Sequence, residues 1–138
     1  MKEDGFLLIK IDFHNEIPIY LQLRNQIIQG IASGGLKTGE ALPSVRQLAS
    51  DIGINLHTVN KAYNILKQDG FLTVHRKSGV VVNISPGLKV NEEYKSRLQN
   101  ELLPVISEAC CRGMEPDEFN RVVNDIFEKI RLGGQDNG

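Results

Sequence analysis

The chain has 138 residues, of which 41% are hydrophobic and 24% are charged, and its formal net charge is −1. This composition is typical of a globular protein and not of a disordered chain. The length excludes a (β/α)8 barrel and a dinucleotide-binding fold with a separate substrate domain. The apolar runs are far shorter than the roughly 20 residues of a membrane span. The N-terminal apolar run is too short for a secretory signal, and we expect a cytoplasmic protein.

The charge is unevenly distributed along the chain. Residues 1–86 carry a net charge of +2, residues 87–138 carry −3, and residues 37–80 alone carry +3. An excess of this size fits a nucleic-acid-binding surface, but an ordinary solvated face would give the same count. Charge alone therefore leaves both interpretations open.

The cysteines and histidines do not form a metal-binding pattern. Cys110 and Cys111 are adjacent, so they are poorly placed for a disulfide between them. His14, His57 and His75 have no spacing typical of metal ligands. We expect no metal and no cofactor, and we interpret the cysteines as two small helix residues, with a vicinal thiol sensor as the alternative.

The first elements are an N-terminal apolar segment and a helix. Residues 6–13 (FLLIKIDF) predict a short strand or an extended arm. Pro18 is placed to open a helix, and Ser33-Gly34-Gly35 is placed to end it. Its apolar stripe has helical spacing and consists of Ile19, Leu23, Ile27 and Ile31, with Tyr20 and Ile28 beside it.

Two further helices follow at short distance. Ser44 and Gln47 have the spacing of a capping box, in which each side chain pairs with the backbone N–H of the other residue. Gly53 ends this short helix, and Asn55 is a suitable N-cap for the next one. The third helix has the apolar face Val59, Ala62, Tyr63 and Leu66 and ends at Gly70. A short helix, a tight turn and a second helix form a helix-turn-helix.

A β-hairpin with a basic tip follows the third helix. Residues 71–75 and 80–83 have the composition of strands, and residues 76–79 (RKSG) join them. Three helices with such a hairpin make a winged helix-turn-helix. The sequence therefore predicts a mainly α fold with a small β wing.

A domain boundary is predicted at residues 85–87 (SPG), where the charge changes sign, so that residues 1–85 form one domain and residues 86–138 a helical segment. Asn91 caps the first helix of this segment, and Pro104 predicts a kink or break near Leu103. Gly113 ends this helix, and Pro116 opens the last one.

The two C-terminal helices carry more apolar surface than they can bury alone. We predict that a second copy of the chain covers these faces. The alternative is that both helices fold back onto the N-terminal domain. The predicted dimer-interface residues are Leu98, Leu102, Ile106, Phe119, Val122, Val123, Ile126, Phe127 and Ile130.

Three ordered segments resemble a known family. Residues 18–22 (PIYLQ), 42–49 (LPSVRQLA) and 58–63 (TVNKAY), followed by Leu66 and Gly70, are similar in one register to the GntR family of bacterial transcription regulators. The short two-helix tail resembles the YtrA-like branch, in which the tail is the dimerisation element. The resemblance implies a homodimeric DNA-binding regulator that represses an operon encoding an ABC-type transporter.

A DNA site follows from the helix-turn-helix, because the start of the recognition helix faces the bases in the major groove. The amide of Asn60 suits a bidentate contact to adenine, and Thr58 suits a phosphate or a thymine methyl. The resemblance makes Arg46 a direct DNA contact. The full predicted set is Asn55, Leu56, His57, Thr58, Asn60 and Lys61 on the recognition helix, Ser44 and Arg46 on the helix before it, and His75, Arg76, Lys77, Ser78 and Gly79 in the wing.

The sequence departs from the family pattern at three places. Leu56 stands where many members have a basic residue, and Asn60 stands where the long-tailed members often have Arg. In the wing, Lys77-Ser78-Gly79 replaces a common Gly-x-Gly pattern, which stiffens the tip and adds a cation. Fewer charges at the reading end favour A·T contacts.

Two other classes of function, a protein-binding module and an enzyme, fit the sequence less well. A winged-helix module that binds protein would be expected to expose more aromatic residues than this third helix and wing contain. An enzyme is disfavoured because the sequence contains no nucleophile-base pattern, no phosphate-binding glycine loop and no convincing carboxylate pair. We therefore predict a DNA-binding regulator with double-stranded DNA and a second copy of the chain as partners; the sequence does not identify an effector.

Overall fold

A computed structural model describes the backbone of residues 9–136 and the side chains of residues 9–133. Five helices and one two-stranded antiparallel sheet follow in the order α1 Ile19–Ser33, α2 Val45–Ile52, α3 Leu56–Gln68, β1 Leu72–His75, β2 Gly79–Val82, α4 Glu92–Cys111 and α5 Pro116–Asp136. The predicted mainly α fold with a small β wing is confirmed. None of the described helices is long and apolar enough to cross a membrane.

The chain divides into two compact units. Of the described residues, the first unit contains 9–88 together with 131–136, and the second unit contains Lys89–Ile130. α1, α2, α3 and the hairpin belong to the first unit, and α4 with most of α5 belongs to the second.

The predicted caps hold the helices of the first unit. The Ser44 side chain accepts a hydrogen bond from the backbone N–H of Gln47 (3.0 Å), and Asn55 accepts one from His57 (2.7 Å). Gly53 ends α2 with a φ of 71°, a left-handed conformation that glycine adopts without strain.

The expectation of a reciprocal capping box is wrong in its second half. The Gln47 side chain does not return to Ser44 but donates to Asp51 Oδ1 at 2.7 Å. Residues four apart on a helix face the same side, so the Gln47 amide nitrogen finds the Asp51 carboxylate as its acceptor, and the side chain lies along α2 and not back over Ser44.

The described part of the N-terminal segment, residues 9–13, is an arm that forms no strand and enters a turn at residue 13; the rest of the predicted element, residues 6–8, lies outside the described residues. Ile9 is buried in the core. Two α1 side chains hold the arm as a neighbouring strand would. Gln26 accepts from the Lys10 N–H at 2.9 Å and donates to the Lys10 carbonyl, and Gln22 accepts from Asp12 N–H (2.9 Å) and donates to its carbonyl (3.0 Å).

The core of the first unit forms where α1, α3 and the hairpin meet, with α2 packed on α3. The predicted inward faces of α1 and α3 are confirmed, and Leu36, Leu42 and Leu72 complete the cluster. The largest fully buried side chains are Tyr63, Leu23, Ile27, Leu36, Leu48, Leu66, Leu72, Val59 and Val82.

The wing has one pairing that the sequence did not indicate. β1 and β2 pair in the register Leu72↔Val82 to His75↔Gly79. Residues 39–42, which include the end of a predicted loop, lie along the other edge of β2: Leu42 N–H donates to the Val80 carbonyl (2.8 Å), and Ala41 bridges to Val81. The sequence of residues 39–42 is typical of a turn and does not predict a strand. The segment is held in place by hydrogen bonds to the free edge of β2.

In the second unit, α4 runs through Pro104 without ending, so of the kink or break expected near Leu103 the break is wrong. Proline removes one backbone hydrogen bond from a helix interior, but the bonds before and after it remain in a helix of 20 residues. Gly113, with a φ of 84°, follows the helix end as predicted, and Pro116 begins α5.

Candidate nucleic-acid interface

The start of α2 offers an anion-binding group. Arg46 and Ser44 are exposed at its first turn. The first N–H groups of any helix lack a partner within the helix, and the helix dipole adds positive potential there. Of these, the N–H of Gln47 is taken by the Ser44 side chain. The remaining N–H groups and the Arg46 guanidinium are suited to a phosphate oxygen.

The start of α3 presents polar side chains to solvent. His57 and Asn60 are exposed, and Thr58 is half-buried. Val59 and Ala62 are fully buried in the core, as predicted. Asn60 therefore has its amide directed away from the core, in the position from which a recognition helix reads base edges.

Two other predicted contacts on α3 have protein partners. Leu56 is partly buried against the core, and the oxygen of Asn55 is occupied as the N-cap of α3. Both residues shape the start of the helix. The groups of this turn that remain available to DNA are its backbone and the amide nitrogen of Asn55.

Lys61 is exposed, and its ammonium nitrogen lies 4.0 Å from the centre of the Tyr20 ring on α1. This is a cation–π contact, which is worth about 0.5–1 kcal/mol at an exposed site. The apolar spacing predicts only that Tyr20 lies beside the apolar stripe of α1. An aromatic residue three positions before the core residue Leu23 gives no signal of a lysine partner 41 residues away.

The wing tip is exposed at His75, Arg76, Lys77, Ser78 and Gly79. Gly79 has a φ of 76° and closes the turn between the strands. His75 Nε2 lies 3.2 Å from Thr73 Oγ1, which fixes the ring along the strand. The two cations at the tip are suited to a phosphate or to the narrow minor groove.

Tyr63 joins α3 to the start of α2. Its ring is fully buried, and its hydroxyl donates to the carbonyl of Pro43 at 2.7 Å. Burial raises the pKa of the phenol well above its ordinary value, so the hydroxyl remains a donor. The apolar periodicity identified Tyr63 only as a core residue.

In the second unit, the predicted interface residues of α4 and α5 retain much solvent exposure in the single chain. Leu98, Leu102, Ile106, Val122, Ile126 and Phe127 are between 36% and 52% exposed, and Phe119, Val123 and Ile130 are half-buried. None of the 20 described residues of α4 is buried.

The cysteines lie at the end of α4 as free, exposed thiols. Cys110 borders a mostly apolar cavity of about 180 Å³ between α4 and α5, whose other walls include Ile106, Met114 and Phe119. Within the described residues, no group of three or more His, Cys, Asp or Glu side chains is arranged to hold a metal ion.

A short helix, a glycine turn, a second helix with polar side chains at its exposed start, and a basic hairpin together define a winged helix-turn-helix, a class of DNA-binding domain. Comparisons with known proteins agree with this class. Residues 19–82 match the family model of bacterial regulatory proteins, gntR family.

The HTH-type transcriptional repressor YtrA of Bacillus subtilis is 30% identical over 130 residues, which cover 94% of this chain and 99% of YtrA. The solved structure of YtrA from Sulfolobus acidocaldarius, a GntR-family transcription factor, is 41% identical, with a TM-score of 0.58 over 72% of this chain and 97% of that one.

A structure described as a transcriptional antiterminator from Listeria monocytogenes EGD-e has a TM-score of 0.81 over 91% of this chain and 93% of that one. At 23% identity it shows the fold alone. The chain belongs to the GntR family, and it is a DNA-binding transcription regulator and not an enzyme.

Proposed function

We propose that the protein is a homodimeric, cytoplasmic repressor that reads an inverted-repeat operator. The observation that carries the proposal is the exposed polar start of α3 beside the anion-binding start of α2, with a basic wing in the same unit. The full-length similarity to a protein named as a transcriptional repressor supports the direction of regulation. The family resemblance extends the proposal to an operon encoding a transporter.

The proposed contacts divide into two kinds. Arg46, Ser44, Lys61 and the wing cations hold the phosphate backbone, which gives affinity for any DNA sequence. Asn60, with Thr58 and His57, reads base edges in the major groove, which gives sequence preference. This division assigns residues 1–85 to DNA binding.

Dimerisation is assigned to residues 86–138. The many exposed apolar side chains of α4 and α5 support this assignment, because apolar helix faces left open in a single chain are typical of an interface. A two-fold dimer of winged-helix domains meets two half-sites about one helical turn apart, so the operator is expected to be an inverted repeat.

The proposal is tested by fluorescence anisotropy of the purified protein on DNA from upstream of its own gene. A shuffled duplex of equal length serves as the control, and both are titrated over a series of salt concentrations. Preference for the native duplex and a steep loss of affinity with salt are expected, since the salt slope counts the phosphates engaged. No binding to any duplex at low salt would overturn the proposal and favour a protein-binding module.

A further inference from the structure

Tyr63 carries a hydroxyl in the core, where a phenylalanine ring would fill the same apolar space. The ring lies fully buried among the apolar side chains of α3 and its neighbours. A hydroxyl in such a place has lost its water and requires a hydrogen-bond partner. It finds the carbonyl of Pro43, 20 residues away, at 2.7 Å.

Pro43 belongs to a segment that touches several elements of the first unit. It directly precedes Ser44, the N-cap of α2. On its other side, the Leu42 N–H donates to the Val80 carbonyl of β2 at 2.8 Å. Residues 42–44 are thus bonded to the wing on one side and to α3 on the other, at the point where α2 begins.

Proline fixes φ near −65°, so the chain has little freedom between this anchor and the first turn of α2. α2 itself has only eight residues. A hydrogen bond that holds Pro43 therefore controls where Arg46 and the first N–H groups of α2 lie relative to α3. Phosphate contacts are sensitive to such placement, since hydrogen bonds weaken steeply outside a narrow range of distance and angle.

We infer that Tyr63 is a positioning residue for DNA binding, whose hydroxyl sets the phosphate-binding start of α2 at the correct distance from the base-reading start of α3. Tyr63 touches no DNA itself, because none of its surface is exposed. It acts through Pro43 and Arg46. The inference rests on the proposed DNA-binding function and adds a residue that the apolar pattern assigned only to the core.

The test is Tyr63→Phe, which removes the hydroxyl and retains the ring. Operator affinity is expected to fall by roughly 3- to 10-fold, the range expected for one lost hydrogen bond. The loss is expected to be equal on operator and shuffled DNA, because a phosphate contact carries no sequence information. Unchanged affinity would overturn the inference.

A double-mutant cycle separates positioning from a general weakening of the fold. If Tyr63 acts through Arg46, Tyr63→Phe costs much less affinity in an Arg46→Ala background than in the wild type. In an Asn60→Ala background the loss is expected to be the full one. Equal losses in all three backgrounds would show that Tyr63 does not act through the start of α2.

Ile27→Val is the matched control, because it deletes one methylene from a fully buried side chain of α1 far from residues 42–44 in the chain. At a similar drop in melting temperature, it is expected to leave DNA affinity unchanged. If it weakens DNA binding as much as Tyr63→Phe, the effect is one of stability and the inference is wrong.

Amide hydrogen exchange of the free protein gives a measurement that needs no DNA. The Gln47 and Leu48 amides, bonded to the Ser44 side chain and carbonyl, are expected to exchange faster in Tyr63→Phe but not in Ile27→Val. Faster exchange in a protein that binds no DNA would overturn the proposed function while showing that the Tyr63 hydroxyl orders α2. Unchanged exchange in a protein that does bind DNA would overturn this inference alone.

Discussion

The two units of the chain place their apolar side chains differently. In the first unit, Tyr63, Leu23, Ile27 and their neighbours are fully buried. In the second unit, the helices carry an equally clear apolar pattern, yet Leu98, Ile126 and many others stay exposed in the single chain. The comparison teaches that an apolar period specifies a helix and its face but not what covers that face.

The largest effect is expected at the exposed apolar side chains of α4 and α5 in the second unit. Under the proposed dimer, Ile126→Glu places a carboxylate in the interface, and burying an unpaired charge costs several kcal/mol. The dimer dissociation constant is expected to rise by on the order of a hundredfold or more, with a parallel loss of operator affinity. Sedimentation velocity measures the dissociation constant.

Asn124→Glu is the matched control, since it adds the same charge at an exposed polar position of α5. It is expected to leave the dimer intact. If Ile126→Glu dimerises as strongly as the wild type, the dimer interface does not include Ile126. A second copy of the chain would then not be what covers this face of the second unit.

The next effect concerns the closed core of the first unit. Leu66→Ala removes a fully buried side chain of α3 and is expected to cost about 2–5 kcal/mol of unfolding free energy. Urea denaturation measures this loss, with the exposed Asn64→Ala on the same helix as the control. A loss below about 1 kcal/mol, which is the size of a surface effect, would contradict the buried position.

Asn60→Ala tests the exposed face of α3, which is proposed to read DNA, in contrast to the buried face of the same helix. It is expected to relax the choice of base at one pair per half-site, by roughly 1–3 kcal/mol. Competition among operator duplexes that each carry one base-pair change measures this preference. Equal losses on operator and shuffled DNA would remove Asn60 from base reading.

Arg46→Ala is the counterpart at the start of α2. It is expected to weaken binding to every sequence and to lower the salt slope by about 1, as the loss of one phosphate contact predicts. Anisotropy titrations over several salt concentrations measure the slope. A change confined to the operator would assign Arg46 to base reading instead.

The smallest effect is expected at the N-terminal arm. Gln26→Ala removes the side chain that pairs with both backbone groups of Lys10. Because both hydrogen bonds are exposed and water replaces them, the total cost is expected to be about 0.5 kcal/mol, the low end of the range for a hydrogen bond. Amide exchange at Lys10 is expected to speed up, while Gln29→Ala, an exposed change on the same helix, leaves it unchanged. Equal exchange in both variants would show that the Gln26 pairing does not hold the arm.

Much of the fold could be predicted because its signals are local. The caps Ser44 and Asn55, the glycine ends and the buried faces of α1 and α3 all depend on residues within one or two turns of each other. The position of the polar start of α3 follows from the same signals. The family resemblance, carried by three ordered segments, supplied the assignment to DNA binding.

Pro104 and Gln47 show where local rules were insufficient. Proline is expected to end a helix, but the turns on both sides of Pro104 keep α4 continuous. The Ser44–Gln47 spacing permits a reciprocal cap, but the Gln47 amide nitrogen donates to Asp51, one turn further along α2, and this bond directs the side chain away from Ser44. In both cases the local rule considers one interaction, and the structure is determined by others nearby: the neighbouring helical turns around Pro104, and Asp51 near Gln47.

Local signals in the sequence specify the helices, their inward faces, the hairpin and the family. The contacts between distant segments emerge only in the folded chain: Gln22 and Gln26 on the arm, residues 39–42 beside β2, Lys61 over Tyr20, and Tyr63 on Pro43. The physical reason is that periodicity records which side of an element is apolar, whereas a hydrogen bond between elements requires their final distance and orientation. Those are fixed only when the core has packed.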